Sequence, residues 1–328
     1  MDTQTLLFFG ISSALLSILI SYLLVHNIEK FFAARQFSVV GIGLLSALAA
    51  DTPEITSAMT AVIAKQPDIG LGVIIGSNIF NFAALLGLPV LINKTILFER
   101  STLIKLGLLS ITNAIFTIFV GLHFLSGSIW FAFSMVTVIL YLLFISDKNP
   151  LSKKGIFQTT RRKNKKIQLK EDSVEIKILQ SDFYFSILKI SGALVLVIIL
   201  SVIAEHSFAH LGGNFHLSEE IVGGIILAAI TSLPNAVAAI YLAKNVSGDA
   251  LLSEAINSNT INVIAGVLFP AAVFSSTLSV PSNISLLWLN LIILTVLLIT
   301  LYMYKKISYP IAIILILIYM SFVVYVVT

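Results

Sequence analysis

The sequence has no cysteine, and only 11% of its 328 residues are charged. The first absence removes disulfides, thiolate nucleophiles and cysteine metal sites. The second removes a soluble fold, because a soluble domain carries charge on roughly 25% of its residues to cover its surface. A basic leader is lacking as well: Met1-Asp2 precedes the first apolar run, Thr5 to Val25, which is long enough to span a bilayer. Strands of about ten residues alternating in polarity, the mark of outer-membrane barrels, are also missing. What is present is 58% hydrophobic residues and a mean hydropathy of +1.02. The runs are apolar on every face, so the chain reads as an all-α membrane protein. Its net charge of +4 follows from where the loops lie and does not point to nucleic acid.

Windows of about twenty apolar residues give ten transmembrane helices. They run near 5–25, 37–64, 69–92, 103–124, 128–146, 183–204, 219–243, 250–275, 283–304 and 308–327. If the loop holding Lys148 to Lys177 is cytoplasmic, the same side receives Lys30, Arg35, Lys94, Arg100, Lys105, Lys189, Lys244, Lys305 and Lys306. Only Lys65 falls on the far side, so the positive-inside rule puts both termini outside a cytoplasmic membrane. The long loop contains the run Arg161 to Lys166, RRKNKK, read first as an orientation signal. The alternative for that run is contact with anionic lipid, at about 1 kcal/mol per basic residue. The chain then divides into 1–146, a basic loop at 147–182, and 183–328.

The two halves repeat. At an offset of 181, Pro53 meets Pro234, Asp68 meets Asp249, and Pro89 meets Pro270. Ser77-Asn78 meets Ser258-Asn259, Asn81 meets Asn262, and Gly43 meets Gly224. Leu and Ala would match by chance in so apolar a chain; Pro, Asp, Ser and Asn at one fixed offset do not. The copies lie five helices apart, an odd number, so equivalent helices cross the bilayer in opposite directions. Two inverted five-helix repeats with interrupted helices at matching positions are the mark of secondary transporters, whose site sits between the repeats.

The repeated residues have chemistry to offer. A proline removes one backbone donor, so Pro53 frees the carbonyl of Ala49 and Pro234 frees that of Ile230. Such carbonyls are tolerated in hydrocarbon only where they line a cavity or meet a partner; the alternative is a plain kink. Asp51 and Glu54 share one helix face deep in an apolar run, where each carboxylate costs at least ~2.5 kcal/mol. Opposite stand Thr231, Ser232 and Asn235, and the pairs Ser77/Asn81 and Ser258/Asn262 each follow one face. Hard cations take oxygen ligands of this kind. Asn78 and Asn259 point elsewhere on their helices and read as interhelical packing.

Leu71-Gly72 followed by Gly76-Ser77-Asn78-Ile79-Phe80-Asn81, with its second copy, resembles the signature of the cation/Ca²⁺ exchanger superfamily, which includes the sodium/calcium exchangers. The resemblance implies the sodium/calcium exchanger fold, no cofactor, and exchange of Na⁺ or H⁺ for Ca²⁺ or another cation by alternating access. Carried over position by position, it implies a site of Glu54, Ser77 and Asn81 with Asn235, Ser258 and Asn262. Four positions depart from the pattern. Asn235 replaces the usual second glutamate, Asn262 stands where many members have aspartate, and Ala50-Asp51 replaces Thr-Ser. Both carboxylates therefore fall in one repeat.

The expected cation ligands are Asp51, Glu54, Ser77, Asn81, Ser232, Asn235, Ser258 and Asn262, with the carbonyls of Ala49 and Ile230. Ca²⁺ and Na⁺ are the cations the resemblance implies, with H⁺, K⁺ or Mg²⁺ as alternatives. A cation channel is the rival of another class. An intramembrane enzyme finds no support, since no His pair, Cys, Ser–Lys or Asp–Asp arrangement crosses the repeats. Glu254 shares a face with Ser258 and Asn262, and reads either as a cation access residue or as a first-turn acid favoured by the helix dipole. Glu205, His206, His210, His216, Glu219 and Glu220 are expected to crowd one loop, as solvated polarity or as a lure for divalent ions.

Overall fold

Proline and asparagine decide where the long apolar segments stop being simple helices. The structure, a computed structural model, describes residues 2–33, 39–93, 95–146, 172–245, 247–274 and 284–328. After α1 (Thr3–Ala33), the second expected span is two helices, α2 (Val39–Ala50) and α3 (Thr52–Ile63), with Pro53 in the first turn of α3. The third is α4 (Pro67–Asn81), a π-helical stretch at Phe82–Gly87, and α5 (Leu88–Asn93). A short strand, β1 (Thr95–Leu97), leads to α6 (Arg100–Gly121) and α7 (Gly127–Ser146).

The second half repeats the sequence of breaks. α8 (Asp172–Asn214) is followed by α9 (Glu219–Ile221), a π stretch at Val222–Leu227, α10 (Ala228–Thr231) and α11 (Leu233–Asn245). Then come α12 (Gly248–Val263), a π stretch at Ile264–Leu268 and α13 (Phe269–Val273). The chain ends in α14 (Ile284–Tyr304), β2 (Lys306–Ser308) and α15 (Tyr309–Val327). The π stretch after Asn81 and the one after Asn262 occupy equivalent places, each followed by a proline, Pro89 or Pro270. Such widened turns gather at functional sites.

Among the described residues, 7 helical runs are long and apolar enough to cross a membrane. With the shorter Gly127–Leu143 and the two proline-broken segments, they are consistent with the ten spans expected. Large apolar side chains stand exposed on their outer faces, Leu108 at 64%, Leu188 at 68% and Met303 at 67%. A water-soluble monomer rarely shows so much apolar surface; lipid is the solvent that tolerates it. The protein is an integral membrane protein.

The second and seventh spans are interrupted at Pro53 and Pro234, as the repeated prolines led us to expect, because proline cannot donate to the preceding turn. The sixth runs on to Asn214 instead of ending near 204, and its helix begins at Asp172. Residues 147–171, including the basic run Arg161 to Lys166, lie outside the described residues. The fold is all-α but for one short antiparallel pair, β1 with β2, in which Ile96 lies opposite Ile307.

Each broken segment lies against an intact helix of the other half. α2 packs on α12, and the run from the 222–227 stretch through α10 packs on α4. The approach is close enough to require glycine. A Cβ on Gly43 would sit 2.6 Å from the Ala250 carbonyl oxygen, and one on Gly76 would sit 2.1 Å from that of Gly224. α1 and α8 run antiparallel, with Gly10 against Ser207 and Ser17 against Ser201.

Candidate cation site

The two breaks have nearly one geometry. Asp51 ends α2 with φ −79° and ψ −7°, and Ser232 ends α10 with φ −85° and ψ −6°. Pro53 and Pro234 offer no N–H to the carbonyls of Ala49 and Ile230, as expected. Ala49 is buried; Ile230 lines a small cavity with Pro53, Thr231 and Pro234. At both breaks the chain turns the next few side chains inward, towards each other.

Asp51 and Glu54 are both completely buried, at 0% exposure. The two carboxyl groups lie in hydrogen-bond contact with each other, and their other partners are neutral serines and asparagines. Ser258 donates to Asp51 Oδ1, and Asn235 Nδ2 donates to the same oxygen at 2.8 Å. Ser232 donates to Glu54 Oε1, which Asn235 Nδ2 also reaches at 3.2 Å. Asn262 Nδ2 donates to Glu54 Oε2 at 2.9 Å. Asn81 Nδ2 donates to Ser258 Oγ at 3.0 Å, completing the ring of contacts. Ser77 faces the Ala228 carbonyl at 3.5 Å, beside Glu54. All eight side chains expected at the site are therefore in one buried cluster.

That cluster leaves acceptors unused. The Oδ1 atoms of Asn81, Asn235 and Asn262 are buried without a hydrogen-bond partner. The amide N–H groups are spent on carboxylates and a hydroxyl, so their carbonyl ends are left over. A buried unpaired acceptor costs about 1–3 kcal/mol, and three of them converge around two carboxylates. A desolvated hard cation is the partner that such oxygens lack, since it replaces its hydration shell with carbonyl, carboxylate and hydroxyl oxygens. Among the described residues no group of three or more His, Cys, Asp or Glu is placed to hold a metal.

The sequence missed the role of Asn78 and Asn259. Each donates to the other's backbone carbonyl, at 3.3 and 3.1 Å. Their side-chain oxygens receive Asn262 Nδ2 and Asn81 Nδ2, both at 3.3 Å. They do pack helices together, as expected, but in doing so they aim the two ligand asparagines. Asn290 of α14 adds a bond to Asn78 at 3.4 Å. The duplication Ser-Asn-x-x-Asn was the signal that could have paired them.

Two other expectations change. Glu254 is fully buried beside Ser46 at 3.4 Å, and the first-turn acid of α12 is Asp249, so the helix-dipole explanation fails. Glu205, His206 and His210 lie within α8 rather than in a loop, and Glu205 is buried. The expected polar loop cluster is split accordingly.

The family model for the sodium/calcium exchanger protein matches residues 5–146 and 185–328. The chain belongs to that family. Sodium/potassium/calcium exchanger 1 of Mus musculus is 29% identical over 91 residues, 28% of this chain but 8% of that protein. The chain thus spans a small part of such curated relatives. An uncharacterized membrane protein of Methanocaldococcus jannaschii is 23% identical over 254 residues, covering 76% of this chain and 74% of its own length. Among solved structures, the sodium-calcium exchanger NCX_Mj soaked with 10 mM Na⁺ and zero Ca²⁺ superposes with a TM-score of 0.66. Identity there is 20% and coverage 98% of both chains, which establishes the exchanger fold. Within this exchanger fold the charge distribution is lopsided: both central carboxylates come from α2/α3, and α10/α11 answers with a hydroxyl and an amide.

Proposed function

We propose that this member of the sodium/calcium exchanger family is a secondary-active cation antiporter working by alternating access, and not an enzyme. The observation that carries the reading is the convergence of two buried carboxylates and three unpartnered asparagine oxygens at two facing helix breaks. Asp51 and Glu54 supply charge. Ser77, Asn81, Ser232, Asn235, Ser258 and Asn262 supply neutral oxygen, and the carbonyls of Ala49 and Ile230 are the backbone contribution.

Two carboxylates balance one divalent cation or two monovalent ones. That is the stoichiometric logic of exchange: the site is never comfortable empty in hydrocarbon, so one load leaves only as another arrives. Ca²⁺ against Na⁺ is the pairing in the names of the exchangers this chain resembles. The all-neutral second half favours a second reading on the same fold, exchange coupled to H⁺ or restricted to monovalent cations such as K⁺, with Mg²⁺ the remaining divalent candidate. Flux into proteoliposomes, with Na⁺, K⁺, H⁺, Ca²⁺ and Mg²⁺ gradients imposed singly, distinguishes these. Saturable counterflow supports antiport; unsaturated, uncoupled flux would mean a channel.

The proposed location is a cytoplasmic membrane, with both termini outside and the basic loop on the cytoplasmic face near anionic lipid. The chain has no cysteine, so a Ser152→Cys variant reports one site. It should resist impermeant thiol reagents in intact cells; labelling there would reverse the orientation.

A further inference from the structure

Glu205 is a carboxylate that lies inside the bundle yet apart from the central cluster. Glu205 of α8 is 1% exposed, and neither of its carboxylate oxygens accepts a hydrogen bond. Its surroundings follow from the antiparallel seam between α8 and α1. Ser17 Oγ and Ser201 Oγ are 3.4 Å apart on that seam, and further along it Gly10 abuts Ser207. Glu205 is one turn from Ser201, about 6 Å along the axis, and on the same face. One turn from Ser17 in the opposite chain direction is Ser13, so the register sets Ser13 level with Glu205. Ser13 is buried and gives its proton to backbone carbonyls, including that of Gly10 at 3.1 Å. Its lone pairs remain available. At the inner end of the strip, Ser17 and Ser201 line the small cavity that also touches Pro53 and Pro234.

We propose that Glu205, with the hydroxyls of Ser13, Ser17 and Ser201, is a second cation site, a waiting position between the end of α8 and the central cluster. Its occupant carries a single positive charge, a sodium ion or a proton, because one carboxylate neutralises one charge and a divalent ion would leave a net charge in hydrocarbon. α8 packs against α1, α3 and the 222–227 stretch. The groups they turn towards it are few: α1 has no titratable residue between Asp2 and Tyr22, α3 has only Glu54, and 222–227 has none. On α8 itself, His206 and His210 are exposed and contact each other edge to face at 4.4 Å. The described residues 3–21 of α1, together with α3 and the 222–227 stretch, carry no basic side chain. The inference rests on the antiport reading for its purpose, but not for its test.

The test measures binding, with the central site removed. In the purified full-length Asp51→Asn/Glu54→Gln variant, thermal unfolding is followed against NaCl at fixed pH, and against pH without Na⁺. Stabilisation that follows NaCl identifies a sodium ion; stabilisation that appears only on acidification identifies a proton. Adding Glu205→Gln should abolish whichever shift is seen. Ser201→Ala should weaken it about tenfold in midpoint, roughly the loss of one ligand hydroxyl, and carries the test if Glu205→Gln does not fold. A shift that survives Glu205→Gln, or no shift in either titration, overturns the proposal. In flux assays of the otherwise native chain, Glu205→Gln should raise the half-saturating Na⁺ or H⁺ concentration about tenfold. Absence of counterflow in the native chain would sink the antiport reading while leaving the unfolding result to stand by itself.

Discussion

At Asp51 the chain leaves α2 with φ −79° and ψ −7°, and at Ser232 it leaves α10 with φ −85° and ψ −6°. The backbone is duplicated and the charge is not: Asp51 and Glu54 stand at the first break, Ser232 and Asn235 at the second. Proline dictates the break wherever it occurs, so the geometry is local to each copy. The charge belongs to the shared pocket, since Asn235 Nδ2 reaches both Asp51 and Glu54 across it. A second glutamate at that position would repel the first pair; an amide donates to it. Charge at such a site needs to be present, but it need not be divided evenly.

The largest effect should come from the charged break. Glu54→Gln removes a buried charge that a cation would meet directly, worth ~3 kcal/mol or about a hundredfold in flux. Its mate across the pocket, Asn235→Ala, loses a neutral ligand and should cost about tenfold or less. Cation flux in proteoliposomes compares them, and normal flux in Glu54→Gln with none in Asn235→Ala would invert the assignment of charge.

Packing offers a second contrast between the halves. A Cβ on Gly76 would collide with the Gly224 carbonyl oxygen at 2.1 Å, whereas one on Gly224 meets nothing nearer than Phe322 at 3.6 Å. Gly76→Ala should therefore destabilise by about 1–3 kcal/mol. Gly224→Ala should be tolerated, with a gain of at most ~1 kcal/mol from helix propensity. Thermal unfolding in detergent reads both, and equal losses would mean that the interface yields as a whole.

The smallest effect tests the relocated carboxylate. On the proposed reading a proton and a cation compete for the Asp51/Glu54 pair, so flux should weaken as pH falls and cation binding should release protons. Asp51→Ser restores a hydroxyl where the family has one, and should flatten that pH dependence while lowering divalent affinity several-fold, in the range of one weakened ligand. Superimposable pH profiles for the two proteins would show that Asp51 takes no part.

Much of the site was legible because polar residues are expensive in hydrocarbon and so rarely repeat by accident. Pro53 and Pro234, with the Ser-Asn-x-x-Asn motif in each half, located both breaks and both partner helices. The cross-bonded Asn78 and Asn259 were not legible, since helical periodicity gives the face a residue occupies and not the neighbour it meets there. Glu254 was misplaced for the same reason. Glu205 was assigned to a loop because the apolar window ends near 204 while the helix continues to Asn214; hydropathy marks where apolar sequence stops, not where hydrogen bonding does.

By itself the sequence determined the membrane class, the duplication and the residue types that a cation could use. These depend on composition and on spacing along one chain, which hydrocarbon and the helix repeat convert directly into constraints. Only the tertiary structure decided which amide oxygens are left without donors, which asparagines aim others, and that Glu205 is sealed into the seam of α1 and α8. Those are properties of pairs brought together from distant parts of the chain. Whether a buried oxygen is satisfied depends on the partner that packing delivers, and no local pattern encodes that partner.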